Sequence, residues 1–319
     1  MSSVHNFIDQ CYPPKSKFDP ERDMPDLSGK VAIVTGGNTG IGKHTVKALL
    51  NKNAKVYMAS RSKARAEQAI SDLKEETGKE AIFLELDLAS LGKVTKAAKE
   101  FMSKEPALHL LFNSGGVMTP PIEQTTEDGY DLQFGTNVLG HAHFTLSLLP
   151  ALLEGTKSSR DGKARVVCTS SLVAYHNTKP LIKFDTLRDG VARQKLGKRR
   201  LYCQSKYGVI AFSNELAKRY KDKGIVSNAV NPGNLATELQ RHSSTVGAFI
   251  TNTVFSHPAP MGALTQLYAA TSSEVADVNG GWFIPWARQY HHSAETKNEE
   301  MEAKLWDWIE EQRRGHLVE

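Results

Sequence analysis

Cysteine is scarce in this chain. Only Cys11, Cys168 and Cys203 occur among 319 residues, and no two of them have a pair's spacing. An odd, scattered set builds neither a disulfide framework nor a zinc site. It suits a reducing compartment, and the cytoplasm is the expected location. Long apolar runs are missing too: nothing approaches the roughly 18 consecutive apolar residues that span a bilayer. The first stretch, to Lys30, is polar and carries Pro13, Pro14, Pro20 and Pro25. It lacks the apolar core and small-residue cleavage site of a secretory leader. Nor does one charge sign dominate. Forty basic against 35 acidic residues leave a net charge of +5, too mild for a nucleic-acid-binding surface. The eleven histidines show no ligand spacing, and His291-His292 is a lone pair. No metal site is expected.

What the chain does have is alternation. Short apolar, often β-branched runs lie at Lys30–Thr35, Lys55–Ala59, Ala81–Leu86, Leu108–Phe112, Arg165–Thr169, Ile225–Val230 and Gly281–Ile284. Such runs read as strands buried on both faces of a parallel sheet. Helical stretches fill the gaps, among them Tyr202–Lys223 and Ala294–Arg314. The order predicts an α/β fold: one doubly wound, parallel seven-stranded sheet with helices on both faces. A chain this long buries such a core without disulfides or metal. No repeat or linker divides it, so residues 27–319 are expected to form one domain. Residues 1–26 read as an irregular arm on its surface, with Phe7, Ile8, Tyr12 and Phe18 as candidate pins. Two segments interrupt the alternation, 175–200 and 239–261. Each follows the carboxyl end of a strand, where open α/β sheets bind ligands. The first is basic near its end, at Arg193, Lys195, Lys198, Arg199 and Arg200.

Between the first strand and the first helix lies Thr35-Gly36-Gly37-Asn38-Thr39-Gly40-Ile41-Gly42. Glycines let a backbone turn tightly and approach a pyrophosphate, while the helix start offers free N–H groups. A glycine-rich turn alone is weak evidence. Placed after the first buried strand, it marks a dinucleotide-binding Rossmann sheet. The second strand ends in Ala59-Ser60-Arg61, with no acid from Tyr57 through Arg61 to hold a ribose 2′-hydroxyl. Arg61 beside Ser60 therefore favours NADP(H), whose 2′-phosphate an Arg accommodates; the bland reading is a solvated first-turn residue. Asp87, just past the third strand, is placed for the adenine amino group or, alternatively, for capping the next helix. Asn113-Ser114-Gly115-Gly116 follows the fourth strand and lets the backbone run close beneath a cofactor.

Far downstream stands Tyr202-Cys203-Gln204-Ser205-Lys206, a Tyr and a Lys four residues apart. Positions i and i+4 share a helix face. The ammonium beside the phenol is expected to lower its pKa from the usual value of about 10. Such a phenol exchanges a proton with an alcohol or carbonyl oxygen. Ser170 and Ser171 end the fifth strand; Ser171 is the candidate for holding the substrate oxygen, with Ser170 as its structural neighbour. Asn137 sits inside a helical stretch, where Asn is a poor former, and position alone makes it structural. Cys203 reads as a bystander.

Together these motifs resemble the short-chain dehydrogenase/reductase family. The elements are Thr35-Gly36 through Gly42, Asp87-Leu88, Asn113 through Gly116, Asn137, Ser171, Tyr202 with Lys206, and Asn231-Pro232-Gly233. The retinol-dehydrogenase and WW-domain-oxidoreductase branch, and its fungal members, are most similar. The resemblance implies that Tyr202 is the acid/base, that Lys206 lowers its pKa and bonds the nicotinamide ribose, and that Ser171 orients the carbonyl. Asn137 would hold a water that links Lys206 to solvent. Leu88 would join the cofactor contacts, and Pro232, Gly233, Leu235 and Thr237 would border the nicotinamide. The implied function is NADP(H)-dependent interconversion of a carbonyl and an alcohol on a mainly apolar small molecule. The rival is a catalytically idle NADP(H)-binding sensor, which would tend to lose the Tyr or the Lys. Relatives pair through the helix carrying Tyr202; segment 175–200 is expected to cover that face and favour a monomer over a dimer.

Overall fold

The computed structural model describes residues 8–235, 257–293 and 296–317. Its centre is one eight-stranded sheet in the order β3-β2-β1-β4-β5-β6-β7-β8. The strands are β1 Val31–Thr35, β2 Lys55–Ser60, β3 Ile82–Glu85, β4 Leu110–Asn113, β5 Ala164–Thr169, β6 Ile225–Val230, β7 Trp282–Ile284 and β8 Arg288–Tyr290. The first seven pair in parallel, and β8 runs antiparallel to β7 at the edge. This eighth strand corrects the expectation of seven. Its Arg-Gln-Tyr carries no apolar pattern, and only pairing with β7 makes it a strand.

Among the described residues, nine α-helices of six or more residues cover the sheet: α1 Gly40–Asn51, α2 Lys63–Thr77, α3 Leu91–Lys104, α4 His141–Ser147, α5 Leu149–Lys157, α6 Val191–Leu196, α7 Lys198–Tyr220, α8 Ala259–Thr271 and α9 Glu299–Arg313. Two apolar layers follow. On one face α3, α4, α5, α7 and α9 pack Phe101, Phe144, Leu152, Tyr207 and Ile309 against the sheet. On the other, α1, α2 and α8 bring Leu49, Leu73 and Leu267. Strands sandwiched this way lose both faces to water, which is why their sequences run apolar without alternation. Asn298 caps α9 by accepting from Met301 N at 2.9 Å, and Glu299, Glu300 and Glu302 suit its positive end. This helix begins at Glu299 rather than Ala294, which lies outside the described residues. It lies along α7, with Trp306 stacked on Phe212 at 5.9 Å and Trp308 edge-on to Phe134 at 5.7 Å.

The arm is held in part as expected, through Phe18, and in part by residues that the sequence did not single out. Phe7 lies outside the described residues, and Ile8 and Tyr12 are 53% and 55% exposed. The buried members are Gln10, Cys11, Phe18 and Met24. Phe18 meets the Tyr268 ring edge-on at 5.4 Å, and Asp9 pairs with Arg288 at 3.0 Å. Segment 175–200 also departs from its charge pattern. Arg193 is buried and donates to Asp131 at 3.0 Å, to Asp189 at 3.0 Å and to the Gln124 carbonyl at 2.7 Å. It ties α6 to the loop before α4, while Lys195, Lys198, Arg199 and Arg200 stay exposed.

Candidate active site

The strand order reverses between β1 and β4, so the connections leave the sheet in opposite directions. A cleft of about 210 Å³ opens there, at the carboxyl ends of β1 to β4. Gly36, Asn38, Thr39, Gly40, Ile41, Gly42, Ser60, Arg61, Asp87, Leu88, Ser114 and Gly115 line it. The glycines are there for close approach. Gly36 has φ +66°, and a Cβ on it would stand 2.9 Å from Gly115 Cα; one on Gly42 would stand 2.3 Å from the Gly36 carbonyl oxygen. No larger residue fits either position. Thr39 precedes α1 without a side-chain cap bond, and Gly40, Ile41 and Gly42 bring the start of α1 to the cleft, where anion-binding helix starts stand.

Six lining residues were not singled out by the sequence: Ser62, Arg65, Ala89, Val117, Leu132 and Thr136. Arg65 stands one helical turn past Arg61, and that spacing is the signal that would have found it. Asp87 lines the cleft and accepts from Ala89 N at 3.1 Å; it does not cap the next helix, whose Leu91 N–H donates to Asp128 Oδ2 at 3.0 Å. Asn113 does not line the cleft. It is buried, and its amide donates to Thr145 Oγ1 at 2.9 Å.

The proton-transfer candidates stand on α7 and at the end of β5. Tyr202 and Lys206 are 7% and 5% exposed, and the Lys206 ammonium lies 5.7 Å from the Tyr202 ring centroid. Lys206 Nζ donates to the Thr169 carbonyl at 3.0 Å, and Ser170 Oγ donates to the Lys206 carbonyl at 2.6 Å. Ser170 thus ties strand to helix, as a structural neighbour would. The Ser171 hydroxyl, which accepts from Val173 N at 3.3 Å, stands near the Tyr202 phenol. The electrostatics correct one expectation. Burial pushes the Tyr202 phenol above its ordinary value, the neighbouring Cys203 adds to this, and the Ser171 hydroxyl opposes it. The downward pull expected from Lys206 does not prevail, because burial also lowers Lys206 to about 8. Cys203 is itself pushed up by burial, which leaves it a thiol.

Asn137 joins the two halves of the site. It sits in a π-helical turn, Gly135–Gly140, a local widening often found at functional positions. Its side chain accepts from Val117 N at 2.9 Å and donates to the Val117 carbonyl and to Ser205 Oγ, both at 3.0 Å. Val117 lines the cleft, and Ser205 lies between Tyr202 and Lys206 in sequence.

Beyond β6, Asn231 Oδ1 accepts from Gly233 N at 3.0 Å, and Asn231 Nδ2 donates to Gln10 of the arm at 2.8 Å. Leu235 and Ile41 converge on Gly262, where a Cβ would meet them at 2.3 and 2.9 Å. Pro232, Gly233 and Leu235 do not line the cleft. Thr237, and most of segment 239–261, lie outside the described residues. Among the described residues, no helix is long and apolar enough to cross a membrane.

The short chain dehydrogenase family model matches residues 30–182 and 190–246. The chain belongs to the short-chain dehydrogenase/reductase family. A short-chain dehydrogenase/reductase of Armillaria gallica is 52% identical over 310 residues, 97% of this chain and 98% of that protein. Retinol dehydrogenase 11 of Mus musculus is 38% identical over 287 residues, 88% of this chain and 85% of its own. Among solved structures, the Pseudomonas aeruginosa RhlG/NADP active-site complex superposes with a TM-score of 0.64 at 23% identity, covering 84% of this chain and 97% of that one. At that identity the likeness concerns the fold.

Proposed function

We propose that this oxidoreductase-family member is an NADP(H)-dependent enzyme that interconverts a ketone or aldehyde and an alcohol on a mainly apolar small molecule. The observation that carries the reading is the grouping of Ser171 with the buried Tyr202 and Lys206, tied through Asn137 to the wall of a glycine-floored cleft. The N–H groups at the start of α1 would take the pyrophosphate, Asp87 the adenine, and Arg61 with Arg65 a 2′-phosphate. NADP in the active site of the Pseudomonas aeruginosa neighbour supports the same choice of cofactor. When bound, the nicotinamide exchanges a hydride with the substrate carbon.

The chain's own residues handle the proton. Ser171 holds the substrate oxygen in line with the phenol. Tyr202, kept protonated by burial, gives its proton to that oxygen in the reductive direction. The Lys206 charge favours the phenolate left behind. The three free thiols support a cytoplasmic setting. The α9 helix on α7 supports a monomer.

The test is a panel of aromatic, aliphatic and steroid carbonyls with NADPH, followed by absorbance of the reduced nicotinamide. Tyr202→Phe is expected to abolish turnover of any positive compound while leaving NADPH binding intact. Wild-type turnover by that variant would remove Tyr202 from the chemistry.

A further inference from the structure

His141 is nine-tenths or more buried, at 4% exposure, and no step above uses it. It opens α4, directly after the π-helical turn that holds Asn137. Its Nδ1 lies 3.0 Å from the Asn137 carbonyl oxygen. Its Nε2 lies 2.9 Å from Thr35 Oγ1 at the end of β1. Thr35 Oγ1 in turn accepts from Ser114 N and Gly115 N, both at 2.9 Å, and those residues line the cleft.

The donor count assigns every proton in this chain. A hydroxyl has one proton and two lone pairs, and a neutral imidazole has one donor nitrogen and one acceptor. The Asn137 carbonyl only accepts, so Nδ1 carries the hydrogen and Nε2 is bare. The Thr35 hydroxyl spends both lone pairs on the Ser114 and Gly115 amides, so its proton goes to Nε2. The Phe112 carbonyl, at 3.3 Å, is the longer alternative for that proton. Burial holds the imidazole down to about 4, with Lys206 also lowering it and the Asn137 bond opposing. The ring is therefore neutral at physiological pH, as the count requires.

We propose that His141 is a positioning residue for the oxidoreductase reaction: its Nδ1–H sets Asn137 against Ser205 on the helix that carries Tyr202 and Lys206, and its Nε2 locks Thr35 under the Ser114-Gly115 floor of the cofactor cleft. One side chain thus holds the proton-transfer group and the dinucleotide floor in register. The inference rests on the function proposed above, but its two ends are separable. An Asn side chain carries its N–H at the position of Nδ1 and is too short for Thr35. A Gln side chain carries its carbonyl at the level of Nε2 and brings the oxygen to Thr35.

The test combines three variants with one spectrum of the unaltered protein. His141→Gln is expected to keep NADPH affinity and lose about tenfold in kcat, the size of one buried hydrogen bond. His141→Asn is expected to keep kcat at saturating NADPH and lose about tenfold in NADPH affinity. His141→Phe, which keeps the ring volume and makes neither bond, should show both losses. Parallel losses in the Gln and Asn variants, or a Phe variant with neither loss, would overturn the proposal. Nitrogen-15 NMR of the wild-type imidazole reads the tautomer without any substitution. A neutral ring protonated on Nδ1 supports the assignment; protonation on Nε2, or on both nitrogens at neutral pH, overturns it. NADPH affinity and the tautomer remain measurable if the carbonyl panel is negative, so failure of the proposed reaction is distinguishable from failure of this inference.

Discussion

Cofactor choice offers the sharpest quantitative test. Arg61 follows the last residue of β2, is exposed, and lines the cleft with Ser62 and Arg65. Arg61→Ala removes a guanidinium and leaves the β2 ladder alone. Hydrogen bonds to charged groups contribute about 1.5–3 kcal/mol, and Arg to phosphate is among the stronger kinds. Solvent exposure screens the pair, so the lower end applies, about 1.5 kcal/mol, or roughly tenfold in affinity. Arg65→Ala should cost a similar amount, and the double variant roughly a hundredfold if the two act on one phosphate from separate sides. NADH carries no 2′-phosphate, and its affinity should barely move. Titration with each nucleotide, followed by quenching of tryptophan fluorescence, reads both constants on one sample. The NADPH advantage should also shrink with added salt, as exposed ion pairs do. Equal losses for the two cofactors would show that Arg61 is structural and would refute the argument.

Turnover in the reductive direction should fall as pH rises through about 8, the value to which burial lowers Lys206. Its charge is present below that pH and lost above it, and a rate that stays flat well above 8 at saturating NADPH would rule the lysine out. Arg193→Met should cost about 3–5 kcal/mol of stability, because it leaves Asp131 buried without its partner. Urea unfolding measures the loss, and adding Asp131→Asn should recover part of it; a variant as stable as wild type would contradict the burial argument. Sedimentation at micromolar concentration should give a species near 35.2 kDa, since α9 already lies on the helix carrying Tyr202. A salt-insensitive dimer would show that the covering leaves a pairing face free.

The sequence by itself determined the features that depend on local period and local sterics. Runs such as Val31–Thr35 and Ile225–Val230 could only be strands buried on both faces. Gly36 and Gly42 stand where the backbone approaches itself too closely for any side chain. Tyr202 and Lys206 share a face because a helix repeats at that spacing. Tertiary structure alone decided whatever depends on distance through space. Arg-Gln-Tyr becomes β8 only because β7 offers an edge, and Arg193 leaves the basic surface only because Asp131, far away in sequence, meets it in the interior. The arm is pinned by Gln10 and Phe18 because Asn231 and Tyr268 are the partners within reach. The Tyr202 phenol rises where sequence spacing suggested a fall, since burial is set by the whole fold and outweighs one neighbouring charge. His141 follows the same logic. A histidine four residues after an asparagine carries no signal until β1 brings Thr35, itself bonded to the Ser114 amide beyond β4, within hydrogen-bond range of its ring.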